Sequence, residues 1–192
     1  MGKVIVSENV SLDGVVQDPT GDEGFRAGGW FSQVGTRDRD EWSELMLEEA
    51  LSAEALLLGR RTYEFFAARW PSRSGQWAER LNNMPKYVVS ATLQDPKWMN
   101  TTVLTGDGLD QASMLRRTIT GDLVVYASFQ LVHALIQADL VDEVRLMVYP
   151  CVLGAGKRLF GDTNAVKQMR LVETRTVGDG LAFLTYRPCR RA

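Results

Sequence analysis

The sequence predicts an α/β fold: a mostly parallel central sheet with helices on both faces, closed by an antiparallel C-terminal hairpin. Three observations predict it. Short continuous apolar runs such as "ALLLG" (55–59) suit strands buried on both faces. Segments of helical periodicity stand between those runs, and strands alternating with helices imply parallel pairing through right-handed crossovers. At the end of the chain, "QMRLVETRTV" (168–177) and "LAFLTYR" (181–187) flank the turn "GDG", a hairpin pattern.

In chain order, "KVIVSENV" (3–10) is a β-branched run and reads as the first strand. The stretch 17–40 is rich in glycine and charge, has no periodicity, and reads as a long lid-like loop. Trp42, Leu45, Met46 and Ala50 recur at helical spacing and predict a helix over 41–52. The strand 55–59 breaks at Gly59 into a helix starting near Thr62, and a short helix is expected over 75–82. "KYVVS" (86–90) and "DLVVYAS" (122–128) are further buried strands. Leu109, Ala112, Leu115 and Ile119 form the stripe of a helix over 108–119, and Leu131, Val132, Leu135 and Ile136 that of one over 128–138. "DEVRLMVYP" (142–150) alternates, with Val144, Leu146 and Val148 on one face. No internal repeat or low-complexity linker interrupts the series, so residues 1–192 read as a single domain.

Composition narrows the function classes. The chain is 45% hydrophobic and 24% charged with a formal net charge of −2, which disfavours nucleic-acid or anionic-membrane partners. No apolar run approaches the ~20 residues that span a bilayer, and "MGKVIVSENV" is too short and polar for a signal peptide, so a cytoplasmic protein is expected. Cys151 and Cys189 do not make a disulfide scaffold, and with the one histidine, His133, they cannot supply a zinc site of the usual kinds. No spacing supports a site made of carboxylates alone.

"VLGAGKRLF" (152–160) resembles a phosphate loop but fails both tests for one. A Walker A loop needs four residues before its Gly-Lys pair and then Ser or Thr, whereas Gly154 and Gly156 stand too close and Arg158 follows Lys157. The dinucleotide fingerprint needs a third glycine where Leu159 stands. A tight turn after a strand is the expectation. Three strand ends are better anion sites. "LLLGRRTYE" (56–64) carries Gly59, Arg60, Arg61 and Thr62 into a helix start, where unpaired N–H groups and the positive dipole end favour an anion. "VVYASFQLVHAL" (124–135) repeats the plan with Ala127 and Ser128, and "VVSAT" (88–92) adds Ser90 and Thr92 hydroxyls. Ligands of open α/β sheets bind outside the carboxyl ends of strands, so three such ends suit one extended anionic ligand; each also reads as an ordinary helix cap.

"VSLDGVV" (10–16), "GGW" (28–30), "LLLGRRTYE", "KYVVS" and "LVDEVRLMVYPCVLGAGKRLF" (140–160), taken in order, resemble the dihydrofolate reductase-like family. The similarity is closer to stand-alone members related to the C-terminal reductase domain of the bacterial riboflavin biosynthesis deaminase/reductase, and it runs from about residue 3 to 187. The resemblance implies an NADPH-binding fold in which Gly59, Arg60, Arg61 and Thr62 lie by the coenzyme phosphates. It implies Ser90, Ala91 and Thr92 facing the 2′-phosphate, and Ala127, Ser128, Phe129, Gln130 and Leu131 around the pyrophosphate. Asn9 and Val16 would border the nicotinamide. It also implies a homodimer, with strand 142–150 or the terminal hairpin as contact surface. One departure stands out: relatives usually carry Gly-Ser where this chain has Ala127-Ser128, and a methyl group there narrows the room for a pyrophosphate.

The implied activity is hydride transfer from NADPH to a small heterocyclic or carbonyl substrate, pterin-like or riboflavin-precursor-like; the alternative is an inactive NADPH- or ligand-binding protein of the same fold. Trp30 and Phe31 either pack on a planar substrate or cap the core, and Lys157 either meets an anionic substrate or faces solvent. No proton donor is evident; Asp40 and Glu44 on the helix after the lid are the candidates.

Overall fold

The computed structural model describes residues 2–161, 163 and 165–189. Its eight strands take the order β4-β3-β2-β5-β1-β6-β8-β7. Pairing is parallel across β4, β3, β2 and β5 and antiparallel across β6, β8 and β7. The chain divides into two compact units.

The first unit is the chain up to Val6 together with Met46–Val141. It holds the start of β1 (Val4–Ser11), the end of α1 (Thr36–Ser52), β2 (Ala53–Gly59), α2 (Arg60–Ala67) and α3 (Gln76–Asn83). It continues with β3 (Lys86–Val89), β4 (Thr101–Leu104), α4 (Gly108–Thr118), β5 (Asp122–Tyr126) and α5 (Phe129–Gln137). Leu56, Leu58, Val88 and Val124 send one set of alternate side chains into a core shared with Tyr63 and Trp70 near α2, Ala78 and Leu81 of α3, and Trp98. Leu57, Leu123 and Val125 are equally buried at the intervening positions, as are Leu131, Val132 and Leu135 of α5. This two-sided burial is why these strands are continuous apolar runs.

One polar side chain enters that core. Lys86 is fully buried; its Nζ donates to the carbonyls of Asn82 at 2.8 Å and Met84 at 2.7 Å and lies 4.5 Å from the Trp98 ring centre. Burial pushes its pKa down to about 8, with the nearby Arg80 charge acting in the same direction. Its bonds close carbonyls at the end of α3, the C-terminal capping that a cation can provide.

The second unit is Ser7–Leu45 and the chain from Asp142 onward. It contains the rest of β1, most of α1, β6 (Glu143–Tyr149), β7 (Met169–Val177) and β8 (Leu181–Pro188). The predicted hairpin is present, with Gly178, Asp179 and Gly180 as its turn.

Three boundaries differ from the sequence reading. The helix expected over 41–52 begins at Thr36, because its first turn is organised by polar contacts: Asp38 Oδ2 accepts the Gly35 N–H at 3.0 Å, and Oδ1 accepts those of Asp179 at 2.7 Å and Gly180 at 3.0 Å. Apolar periodicity starts only at Trp42, so it missed that turn. The strand expected over 122–128 stops at Tyr126, because Ala127 and Ser128 turn left-handed. The short edge strand β4 was not anticipated; "TTVL" is too brief to carry a pattern.

The stretch expected as a lid over 17–40 is ordered around a carboxylate. Asp18, with its own φ at 48°, is buried and accepts the N–H groups of Glu23 at 3.1 Å and Phe25 at 3.0 Å. A short 3-10 turn, Trp30–Gln33, follows and then α1.

Candidate functional site

β2 and β5 are neighbours in the first unit, yet β2 leads to β3 and β5 leads to β6, in opposite directions along the strand order. Adjacent strands whose connections diverge leave a crevice beyond their carboxyl ends, the usual ligand position in open α/β sheets. Gly59 ends β2, and Ala127 and Ser128 follow β5. The Gly59 N–H donates to Ser128 Oγ at 3.0 Å, so residues 69 apart in sequence meet at the crevice. Gly59 is also in register with Val89, which puts Ser90 at the next strand end. The structure therefore brings 59–62, 90–92 and 127–131 to the carboxyl ends of three successive strands.

The local chemistry there is anion-seeking. α2 and α5 both begin without a side-chain cap, and their first N–H groups keep the positive end of each helix dipole open. α4 shows the contrast: Asp107 caps it by accepting from Leu109 and Asp110. Ala127 and Ser128 have φ values of 49° and 62°, a conformation that costs non-glycine residues free energy. Arg60 is paired with Glu64 at 2.9 Å, one helical turn on. Arg61 is exposed and makes no ion pair among the described residues. Thr62 is half-buried in the first turn of α2. Ser90 Oγ accepts the N–H groups of Thr92 at 3.1 Å and Leu93 at 2.9 Å, which leaves its own proton to donate; Ala91 and Thr92 are exposed. Phe129 and Gln130 form the first turn of α5 at the surface, while Leu131 is buried below them.

This donor set fits a dinucleotide phosphate: two uncapped helix starts, a free guanidinium, and hydroxyls at neighbouring strand ends. The Ala127 methyl is the least favourable feature, yet Ala127 is itself exposed.

The second unit holds the remaining predicted residues. Asn9, on β1, accepts the Trp42 Nε1–H at 2.9 Å. An indole nitrogen only donates, so this bond fixes the amide with its oxygen toward Trp42 and its NH2 turned away. Trp42 in turn packs edge-on against Phe31, with ring centres 4.8 Å apart. Phe31 is half-buried, whereas Trp30 is 2% exposed, donates to the Gln17 carbonyl at 3.0 Å and packs edge-on against Tyr149. Trp30 thus lies in the core of the unit and Phe31 at its surface. Asp40 and Glu44 are both exposed on α1. Glu8 differs from both: it is buried on β1, its Oε1 lacks a hydrogen-bond partner among the described residues, and burial raises its pKa well above the ordinary carboxylate value.

The glycine-rich stretch 152–160 does bind an anion, and the anion is the chain's own. Asp13 accepts the N–H of Leu153 at 3.1 Å and of Gly154 at 2.9 Å, and the Ser11 hydroxyl at 2.7 Å. Those bonds, the Ser11 one foremost, hold its carboxyl down at about 2. The Lys157 N–H donates to Gln17 Oε1 at 3.0 Å and its carbonyl accepts from the half-buried Val16 at 2.9 Å, so the stretch clamps the turn after β1. Sequence reasoning passed over Asp13, Asp18 and Asp38; Asp13 beside Gly14 was the one signal, and its partners Leu153 and Gly154 are distant in sequence.

Comparison with known proteins identifies the family and the fold. The family model of the RibD C-terminal domain matches residues 2–183. The uncharacterized protein YyaP of Bacillus subtilis strain 168 is 28% identical over 139 residues, 69% of this chain and 73% of that protein. Among solved structures, a Shewanella sp. PV-4 protein provisionally assigned to riboflavin biosynthesis superposes with a TM-score of 0.77 at 20% identity, covering 98% of this chain and 99% of the other. Dihydrofolate reductase from Enterococcus faecalis, complexed with NADP(H) and RAB-propyl, gives a TM-score of 0.60 at 14% identity over 97% of this chain and 96% of its own. These likenesses establish a dihydrofolate reductase-like fold. Among the described residues, no helix is long and apolar enough to cross a membrane.

Proposed function

Since the chain belongs to the RibD C-terminal domain family, we propose that it is a reductase that uses NADPH to reduce a small heterocyclic or carbonyl substrate. The observation that carries this reading is the pair of uncapped helix starts, α2 and α5, at the point where the connections of β2 and β5 diverge. The N–H groups following Gly59 and Ser128 would take the pyrophosphate, Arg61 would add charge at the phosphates, the 2′-phosphate included, and the Ser90 and Thr92 hydroxyls would face the 2′-phosphate. The coenzyme, once bound, supplies a hydride, and with one proton from water this reduces a single C=O or C=N bond and leaves NADP⁺. Asn9, whose amide oxygen is held by Trp42 and whose NH2 is turned away from it, is a donor suited to a ring carbonyl or a carboxamide, and Phe31 offers an aromatic surface on the same indole.

A second reading, a coenzyme-binding protein without turnover, is favoured by the exposure of both Asp40 and Glu44, which places neither carboxyl in a water-excluded site. Fluorescence titration with NADPH and NADH tests the site. NADPH should bind about tenfold tighter, roughly 1.4 kcal/mol, and Arg61→Ala should remove most of that preference. Unchanged preference in Arg61→Ala would overturn the phosphate assignment. Loss of NADPH absorbance with pterins, quinones or riboflavin precursors then separates an enzyme from a binder.

A further inference from the structure

β3 and β4 are parallel neighbours in the first unit, and residues 90–100 join them without regular structure. Ser90 anchors the near end, because its Oγ accepts the N–H groups of Thr92 and Leu93. Beyond it Ala91, Thr92, Gln94, Asp95 and Lys97 are all exposed. Leu93 packs against the core, and the rest of this arch buries little. An exposed arch of this kind takes its position from its end points more than from packing.

Trp98 fastens the far end and is buried. Its main-chain N–H donates to the Tyr63 hydroxyl at 3.0 Å, and its carbonyl accepts the Thr101 hydroxyl at 2.6 Å. The indole is held separately: its Nε1–H donates to Asn82 Oδ1 at 2.6 Å, and Lys86 Nζ stands 4.5 Å from the ring centre. Main chain and side chain of Trp98 thus have different anchors. The hydrogen bond from Tyr63 is the one that comes from α2, where Tyr63 follows Thr62 in the first turn. The Tyr63 ring is buried and lies 6.3 Å from the Trp98 ring, so a phenylalanine would fill the same space. What the hydroxyl adds is a tie from the start of α2 to a residue 35 positions along the chain.

We propose that Tyr63 is a positioning residue for coenzyme choice: acting through Trp98, its hydroxyl fixes the arch that carries Thr92 relative to the start of α2. It rests on the coenzyme reading above, in which α2 and Arg61 address phosphates while Ser90 and Thr92 face the 2′-phosphate. Two groups of donors grip one ligand well only when the spacing between them is held before binding. The register of β2 and β3 sets that spacing as far as Gly59 and Val89, and leaves the arch to be fixed from its far end. A buried N–H deprived of its acceptor costs more than the bond itself. Without the Tyr63 hydroxyl the Trp98 main chain therefore shifts toward another acceptor and carries the arch with it. The start of α2 stays in place, because Gly59 is held by β2 and by Ser128. Recognition of the 2′-phosphate falls while the grip on the rest of the coenzyme stands.

Fluorescence titration of the full chain with NADPH and with NADH, on wild type and Tyr63→Phe, tests this. Tyr63→Phe should weaken NADPH about threefold and leave NADH unchanged, so that the ratio of the two affinities falls. Thr101→Val removes the hydroxyl on the Trp98 carbonyl, the other main-chain anchor, and should lower the ratio in the same direction. It is the second variant should Tyr63→Phe fail to fold. Folded Tyr63→Phe and Thr101→Val proteins that keep the wild-type ratio would overturn the proposal. So would variants that lose NADPH and NADH affinity alike, since that assigns Tyr63 to general stability. A wild type that binds neither coenzyme, or both equally, would overturn the coenzyme reading and this proposal with it.

Discussion

Two regions of this molecule present clusters of backbone N–H groups and treat them in opposite ways. In the second unit each cluster is filled by a carboxylate of the chain: Asp13 takes Leu153 and Gly154, Asp18 takes Glu23 and Phe25, and Asp38 takes Gly35, Asp179 and Gly180. In the first unit Asp107 fills the start of α4 in the same way, but the starts of α2 and α5 receive no side-chain cap among the described residues, and a neutral hydroxyl, Ser128 Oγ, accepts the Gly59 N–H. The same donor geometry thus serves as a lock where an internal anion fills it and stays open at the starts of α2 and α5. Glycine content does not tell the two apart. The stretch that looks most like a phosphate loop, 152–160, is a lock, and the crevice lined by Ala127 and Ser128 is the open one.

The locks should carry the larger share of stability, and Asp38 offers the sharpest break in the comparison. Asp38→Ala removes the acceptor of three N–H groups at a part-buried turn and should cost about 2 kcal/mol, read as a lowered denaturant midpoint. Gly178 belongs to the same lock: its φ is 62°, and a side chain there would collide with Asp38. The pH dependence follows in sign. Hydrogen bonds, the Asp179 N–H first, hold the Asp38 carboxyl below the ordinary 3.8. The unfolded chain therefore takes up a proton before the folded one, and the contribution is complete above 3.8 and lost as pH falls through the lower folded value. Asp38→Asn should flatten that acid limb. A variant with wild-type acid sensitivity would show that the carboxylate is not the lock.

That contrast also marks how far sequence reasoning reaches. Elements with local signatures were legible: the apolar run of β2, the stripe of α5, and the hairpin flanking Gly178. The strand-turn-helix junctions at Gly59 and Ser128 were legible as well, because strand end, small residues and helix start are adjacent in sequence. Asp38 was not, since its partners lie 141 and 142 residues away and nothing in the polar first turn of α1 announces them. The same distance hid the Asp13 contacts and the bond between Gly59 and Ser128. Trp42 read as a core residue by its spacing, and only the fold reveals that its indole N–H orients Asn9.

Ser128 probes the open region more gently. Ser128→Ala removes the partner of the Gly59 N–H and should destabilise the free protein by about 1 kcal/mol. A phosphate oxygen bound at the crevice would take over that N–H. The stability gap between Ser128→Ala and wild type should therefore narrow under saturating NADPH, because ligand binding to the folded state adds its own linkage term. A gap of equal size with and without coenzyme would mean that Gly59 donates to no ligand, and would make this junction another lock.

The smallest effect is expected at Ala127, and it bears on why the open region is strained at all. A left-handed alanine costs roughly 1–2 kcal/mol, while glycine loses about 0.5–1 kcal/mol more backbone freedom on folding. Ala127→Gly should therefore stabilise the chain by only about 0.5 kcal/mol, read as a slight rise in the denaturant midpoint. Its effect on binding is more telling. Ala127 is exposed at the mouth of the crevice, so removing its methyl should tighten NADPH about threefold, near 0.7 kcal/mol, by letting the pyrophosphate approach the backbone. Stabilisation without tighter binding would place the phosphates away from residue 127 and leave the start of α2 as the anion site. Lower stability would mean that the methyl packs against a neighbour, and that the left-handed turn belongs with the locks.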